Sequence, residues 1–376
     1  MRVLVLNWRD RMSPWAGGAE VHIHAIAAGL VQRGHEVRLL ATRFPGAERE
    51  TTLDGVAVRR CGSWWNGNFA LAHEARRELR RQRYDVVLED VNKIPFFTPL
   101  VHDLPLVVYV PHLFGATVFR ETNPLFASYV WAMERPLAWI YRRAAWIAIS
   151  ASTKQDLVGR GVPAERIDVV RCGIDFASYD LVPPPERASQ LTLVHLGRLM
   201  RYKRVDVVLR TLAAVRGTHP DARLLVVGDG PDRERLEALA QRIGVADAVH
   251  FHGHVPHAEK VRLLWSSHVL LNASPKEGWG LTSIEANACG VPVVASRSPG
   301  LVDSVRDGET GLLVDGERVD AFADAARRLW SDRALHQRLS SQGREWARSL
   351  RWEDAVVQTE RVLRRAVGGG DARTPD

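Results

Sequence analysis

His268-Val-Leu-Leu-Asn-Ala-Ser-Pro-Lys-Glu-Gly-Trp-Gly-Leu-Thr-Ser-Ile-Glu-Ala-Asn-Ala-Cys-Gly-Val-Pro-Val-Val-Ala-Ser296 decides how the rest of the chain is read. The apolar runs at its two ends read as buried strands. Between them lie a turn with two glycines and a short helix from about Thr282, which Gly290 closes just past its last turn. Such a βαβ unit places ligands at the carboxyl ends of its parallel strands. Glu277 falls in the turn and Glu285 one turn into the helix. The free amides of Gly280, Leu281 and Thr282 point out of the helix start, where an anion is favoured. An acid before an anion-binding helix start, and a second inside it, suit a ligand carrying both phosphate and hydroxyl groups. A plainer reading stands beside this one. Thr282-Ser-Ile-Glu285 also fits a capping box, in which Glu285 serves only its own helix, and Glu277 alone is an ordinary loop acid.

Outward from this unit, strand and helix patterns alternate along the whole chain. Val3–Leu6, Val37–Ala41, Val56–Arg60, Val86–Leu88, Leu106–Val110, Trp146–Ile149 and Ile167–Val170 read as strands of a first domain. Helical patterns fall between them, among them Ala70–Arg83, Pro124–Arg143 and one opened by a capping box at Ser152-Thr-Lys-Gln155. The pattern breaks in a proline-rich linker around 181–187. It resumes with strands Leu191–Leu196, Leu224–Val227, Val249–Phe251, Val269–Asn272 and Pro292–Ala295. The fold class is therefore α/β, with two tandem Rossmann-like domains, 1–184 and 185–350, and the ligand site expected in a cleft between them. An amphipathic helix over 351–367, which could cross back to the first domain, and a disordered tail over 368–376 complete the chain.

Composition excludes several classes. Hydrophobic content of 46% and charged content of 25% are those of a globular protein with a core. The net charge of +7 comes from 51 basic and 44 acidic residues, and only five of the basic ones are lysine. No basic domain or tail stands out, so nucleic acid is not expected as a partner. Cys61, Cys172 and Cys289 lie far apart with no C-x-x-C spacing, which argues for a reducing cytoplasm and against disulfides or zinc. The N-terminal apolar run is short for a signal peptide, and no stretch has the length of a membrane span.

Further candidates sit at strand ends. Gly17-Gly18 stands where a nucleotide-binding turn belongs, yet it is not G-x-G-x-x-G, and taken alone it is better accounted for as a plain strand-to-helix turn. Gly197-Arg198-Leu-Met-Arg-Tyr-Lys203 ends the first strand of the second domain. There an arginine fork and a lysine point charge suit a departing diphosphate, with a solvated basic turn as the alternative. Val227-Gly-Asp-Gly-Pro231 is read structurally, with Pro231 as the first helical residue. Gly253 and Val255, in Phe251-His-Gly-His-Val255, present backbone that could read a base. The two histidines lack a third ligand at metal spacing, and no D-x-D pair exists to clamp a metal–diphosphate, so no metal site is expected. His112 follows a first-domain strand and is either structural or part of a site.

Taken together, these motifs resemble family 4 of the retaining nucleotide-sugar glycosyltransferases. They are Gly17-Gly18-Ala-Glu, Gly197-Arg198-Leu-x-x-x-Lys203, Val227-Gly-Asp-Gly-Pro, Glu277-x7-Glu285 and Asp303-Ser-Val-x-Asp-Gly-x-x-Gly-Leu-Leu-Val314. The resemblance implies a GT-B fold and transfer of a sugar from a nucleoside diphosphate sugar, UDP or GDP undecided, with no cofactor and no metal. It places Glu277 on the sugar hydroxyls, Glu285 on the ribose, and Arg198 and Lys203 on the leaving diphosphate. Gly280, Leu281 and Thr282 would face phosphate or sugar, Gly18 the diphosphate, and His112 the donor sugar. Rival readings are an inactive sugar-nucleotide-binding protein, and an epimerase or hydrolase of the same fold. The acceptor, a small molecule or glycan, is not specified. Aromatic and arginine-rich helices at Ala70–Arg83 and Pro124–Arg143 admit a peripheral contact with the inner face of a membrane. Packing of those aromatics into the first domain is favoured, because Met133-Glu134-Arg135-Pro136 interrupts the apolar face. The segment Glu89–Phe97 has no assigned role.

Overall fold

The structure is a computed structural model that describes residues 1–369, except 64, 93, 121–122 and 182–186. The linker expected around 181–187 and the tail expected over 368–376 therefore fall largely outside the described residues. The first part of the chain runs β1 (Arg2–Leu6), α1 (Gly18–Gln32), β2 (Glu36–Thr42), β3 (Glu50–Leu53), β4 (Val56–Cys61), α2 (Gly67–Arg81), β5 (Val86–Asp90) and β6 (Leu106–Val110). It continues through α3 (Pro124–Glu134), α4 (Leu137–Ile140), β7 (Ala145–Ala148), α5 (Ala151–Gly159) and β8 (Ile167–Val169). The second part comprises β9 (Thr192–Leu196), α6 (Val205–Arg216), β10 (Arg223–Val227), α7 (Arg233–Arg242), β11 (Val249–Gly253), α8 (His257–Trp265) and β12 (Val269–Asn272). After these come α9 (Leu281–Ala288), β13 (Val293–Ser296), α10 (Leu301–Ser304), β14 (Gly311–Val314), α11 (Val319–Ser331), α12 (Arg333–Ser349) and α13 (Trp352–Gly368).

Contacts divide the chain into two units, one of Met1–Gly173 with α13 and one of Ile174–Arg351. The first is built on an eight-stranded sheet of order β3-β4-β2-β1-β5-β6-β7-β8. Its central strands, such as Val3–Leu6 and Val86–Leu88, are wholly buried. Continuous apolar strands of this kind belong to a parallel sheet covered on both faces. The exception is β3, which pairs antiparallel with β4 and alternates exposed and half-buried residues at the sheet edge. Its Glu50-Thr-Thr-Leu53 has no apolar run, which is why the sequence pattern passes over it. Helix α13 packs on α1, where a side chain at Gly29 would come within 2.3 Å of Val356 Cγ2. Beside this contact the buried Glu360 accepts from Arg33, from His35 at 3.0 Å and from Arg364 at 2.6 Å.

Three helix boundaries differ from the sequence expectation. The helix expected over Pro124–Arg143 is two helices, α3 and α4, because Pro136 has no N–H to continue the ladder of α3 and stands instead as the N-cap of α4. Helix α5 is capped by Ser150, whose Oγ accepts from Thr153 N–H at 3.1 Å, so the expected box at Ser152 does not open it. Pro231 is not the first helical residue either, since Asp232 is the N-cap of α7.

The second unit is a six-stranded parallel sheet of order β11-β10-β9-β12-β13-β14. Its core gathers Leu193, Leu209, Leu224, Leu271, Val294 and Phe322, all at most 2% exposed. The strand order holds one fact that matters for the site. From β9 the chain moves first to β10 on one side, and β12 then returns to its other side. The loops after β9 and β12 thus diverge at a topological switch point, where open α/β sheets bind ligands.

Candidate active site

Lys203 and Glu277 come from the two loops that flank this switch point. Gly197 follows β9 in an extended positive-φ conformation, and its N–H donates to Val227 carbonyl at 3.0 Å. The chain then turns through exposed Arg198 into a 3-10 turn, Arg201–Lys203, that ends on the lysine. The loop after β12 carries Glu277, whose N–H donates to Pro299 carbonyl at 2.9 Å. Lys203 Nζ donates to Glu277 Oε1 at 2.5 Å, with 16% and 14% of the two side chains exposed. Burial by itself would depress the Lys203 pKa, but the Glu277 carboxylate outweighs it, and the ammonium titrates above its ordinary value. The lysine is charged at neutral pH and held by a single carboxylate.

Helix α9 begins three residues after Glu277's neighbour Gly278. Gly280 is its N-cap with φ of +79°, a left-handed conformation in which glycine is the unstrained choice. A side chain there would also press within 2.7 Å of Ser304 Oγ. No side chain caps this start, so the box expected from Thr282 and Glu285 does not form. Leu281 and Thr282 make the first turn, whose N–H groups have no intrahelical acceptor. Glu285 instead accepts from Lys260 Nζ at 2.6 Å and from the Tyr179 hydroxyl. Burial, then the Glu285 charge, raises the Tyr179 pKa far above the usual phenol range, so it is a fixed donor. Gly290, at φ of +67°, ends the helix as the sequence predicts. Gly253 closes β11 and accepts from Gly228 N–H at 2.8 Å, and half-buried Val255 follows it.

Lys260, Tyr179 and His195 are absent from the sequence expectation. Lys260 carried one signal, the scarcity of lysine in a chain so rich in arginine. His195 lies at the end of β9, 1% exposed, with Nδ1 at 3.2 Å from Leu271 carbonyl. That bond fixes the proton on Nδ1, and Nε2 has no hydrogen-bond partner among the described residues. Burial lowers this imidazole to about 4, so it is neutral.

In the first unit, Gly17 is the N-cap of α1, and Glu20 Oε2 accepts from its N–H at 2.8 Å. Gly18 is exposed, its φ is not positive, and a side chain there would meet nothing within 4 Å. Neither packing nor backbone strain requires glycine at that position. His112 lies two residues past β6, half-buried, with its ring 4.9 Å from Phe114 in an edge arrangement. The Glu89–Phe97 segment acquires a structural reason. Buried Glu89 accepts from Phe96 N–H at 2.8 Å and from the Thr98 and Tyr141 hydroxyls. Desolvation raises its pKa against those bonds. The carboxylate organises the loop from within. Among the described residues no group of three or more His, Cys, Asp or Glu is gathered at metal-binding distance, and the three cysteines are free.

Two Rossmann-like sheets are the architecture of the GT-B glycosyltransferases, and similarity to known proteins places the chain among them. Residues 16–178 match Glycosyltransferase Family 4 and residues 183–346 match Glycosyl transferases group 1. The GDP-mannose-dependent alpha-(1-6)-phosphatidylinositol monomannoside mannosyltransferase of Mycolicibacterium smegmatis is 32% identical over 367 residues, covering 89% of this chain and 91% of its own. The glycogen synthase of Mycobacterium tuberculosis is 26% identical over 402 residues, 98% of this chain and 96% of its own. Among solved structures, the sucrose-phosphate synthase from Thermosynechococcus elongatus matches with TM-score 0.82 at 21% identity, over 98% and 99% of the two chains. Anabaena HepE in complex with UDP and glucose matches with TM-score 0.78 at 19% identity, over 97% and 100%. The chain belongs to family 4 of the glycosyltransferases.

Proposed function

We propose that this glycosyltransferase moves a sugar from a nucleoside diphosphate sugar to an acceptor hydroxyl, with retention at the anomeric carbon and without a metal or organic cofactor. The observation that carries the reading is the Lys203–Glu277 pair at the β9/β12 switch point. Breaking the donor's glycosidic bond puts one further negative charge on the diphosphate, and preorganised cations stabilise that charge as it develops. Lys203 and Arg198 supply them. Glu277, released from Lys203, takes the donor's sugar hydroxyls, and Glu285 the ribose. The amides of Gly280, Leu281 and Thr282 receive phosphate or sugar oxygens. Gly253 and Val255 offer backbone to the base. In the first unit, Gly18 and His112 are the residues that the family resemblance assigns to the diphosphate and the donor sugar.

The mannosyltransferase relative is named for GDP-mannose, and the HepE structures hold UDP and UDP-glucose, so both bases belong in a donor screen. A bound donor should raise the melting temperature by mass action. Turnover of the responding donor, with excess chelator present, then tests the reaction, and the anomeric configuration of the product tests retention. Product formed with retention under chelator is expected. Activity lost to chelator and restored by manganese or magnesium would refute metal independence. An inverted product would refute retention. Hydrolysis or epimerisation without transfer would replace the reading altogether.

A further inference from the structure

Helices α3 and α4 expose what soluble surfaces ordinarily cover. Leu125 is 85% exposed, Trp139 70%, Phe126 41% and Trp131 37%. Among the described residues, the one comparably exposed large apolar side chain of the second unit is Val302. Single exposed apolar residues need no explanation, whereas a contiguous patch does. Here they crowd into one short stretch, Leu125 to Trp139, and the adjoining start of α2. Asn68 Nδ2 donates to the Tyr129 hydroxyl at 3.0 Å, which ties the start of α2 to the middle of α3. Phe69, the next residue and 66% exposed, therefore extends the surface that Phe126 begins beside Tyr129. The sequence expectation that these aromatics pack the first domain is met by buried Tyr141 and half-buried Tyr129, and not by the others.

The exposed charge on α3, α4 and the turn that follows them has one sign, and Asp156, which borders Trp131 and Arg135, is paired with Arg160. Arg135, Arg142 and Arg143 are exposed. Arg135 lies over the Trp131 ring at 4.2 Å and Arg142 over Trp139 at 5.9 Å, so cations and rings share one surface. The stretch contains a single acid, Glu134. It is 1% exposed and occupied by the Phe114 and Gly115 N–H groups and by Arg160. We propose that α3 and α4 dock on the surface of an anionic lipid bilayer, the aromatic and leucine side chains entering the headgroup boundary and the arginines meeting lipid phosphate. Aromatic rings that carry a cation beside them suit that boundary, apolar below and charged above. Among the described residues no helix is long and apolar enough to cross a membrane, so the contact lies in the plane of the surface. A soluble protein partner would present acids to these arginines within a shaped pocket, and a second copy would meet like charge.

Pelleting of the full chain with vesicles of phosphatidylcholine alone, or mixed with phosphatidylglycerol, tests the proposal. Binding is expected to the mixed vesicles, to weaken as salt rises, and to be slight without the anionic lipid. Arg142→Gln with Arg143→Gln should cut affinity by roughly fivefold for each arginine. Leu125→Ser with Trp139→Ser should cut it more than tenfold, and Val302→Ser should leave it unchanged. Should the apolar pair melt early, the arginine pair decides, since those side chains take no part in the core. No pelleting with anionic vesicles would overturn the proposal, as would pelleting indifferent to both double variants. A dimer in solution that these variants convert to monomer would assign the patch to a second copy instead.

Discussion

Both units bury carboxylates, and they use them in opposite ways. In the first, Glu78 accepts from Arg38 at 2.6 Å, Arg59 at 2.8 Å and the Tyr84 hydroxyl at 2.9 Å, with 1% of its side chain exposed. Glu89 and Glu134 are likewise filled by three donors each. In the second, Glu277 is bonded, among the described residues, to one flexible lysine, and Glu285 to one lysine and one hydroxyl. A carboxylate with several donors from separate elements is a structural centre, since losing it leaves more than one of them unsatisfied at once. One held by a single lysine can exchange that partner for a ligand. The number and rigidity of partners, more than burial, separates a carboxylate of the fold from a carboxylate of the site.

The largest expected effect tests the first half of that contrast. Glu78→Ala leaves Arg38 and the Tyr84 hydroxyl without their buried acceptor, while Arg59 keeps Glu50 and Glu74, and should cost about 3 kcal/mol of stability, the lower end of the usual penalty for breaking a buried pair. Glu277→Ala should cost under about 1 kcal/mol in the same denaturant titration. Equal losses would erase the distinction. Next in size, Lys203→Ala should slow turnover by about 3 kcal/mol of barrier, or a hundredfold and more, with the melting temperature nearly kept. Near-normal turnover would remove Lys203 from the reaction.

Calorimetry with a nucleoside diphosphate lacking the sugar divides the two site acids. Glu285→Ala should lose about 1.5–3 kcal/mol of binding, the worth of hydrogen bonds to a charged group, and Glu277→Ala little. Losses of the same size in both would merge their roles. The smallest effect is on pH. Burial would raise Glu360, but its bonds from Arg33, Arg364 and His35 hold it at about 2, below the ordinary 4.5. A depressed folded pKa means stability present above about 4.5 and lost as pH falls towards 2. With the half-exposed Arg33 and Arg364 screened by water, the loss should be about 1–2 kcal/mol. Glu360→Gln should flatten that stretch of the acid titration, and an unchanged slope would assign it elsewhere.

How much of this was legible in sequence follows from where the information lies along the chain. Glu277, the helix start at Gly280 and Glu285 fall within nine residues, punctuated by glycine between apolar runs, so periodicity places them on one strand end. Lys203 is 74 residues from Glu277 in sequence, and only the order of the sheet, with β12 returning beside β9, brings them together. Tyr179 is 106 residues from Glu285 and Lys260 is 25, on elements whose own patterns carry no mark of the site. The cap of α5 shifted for a different reason, because Ser150 and Ser152 both offer a hydroxyl and local chemistry does not rank them. The patch on α3 and α4 was read against its exposure because aromatic residues look the same in sequence whether they face inward, as Tyr141 does, or outward, as Trp139 does.

The pairing of Lys203 with Glu277 sets a coincidence requirement on whatever enters the site. A free phosphate satisfies the lysine but strands the glutamate, and a free sugar satisfies the glutamate but strands the lysine. In each case a half-buried charge loses its partner, which offsets the hydrogen bonds that the fragment forms. Only a molecule that brings hydroxyls and phosphate together, at the reach of the two side chains, replaces both halves of the pair at once. Once the bond between those parts is broken, neither fragment meets the condition. On the proposed reading the ion pair then closes behind the departing products, so an intact donor would be held more firmly than the pieces it becomes.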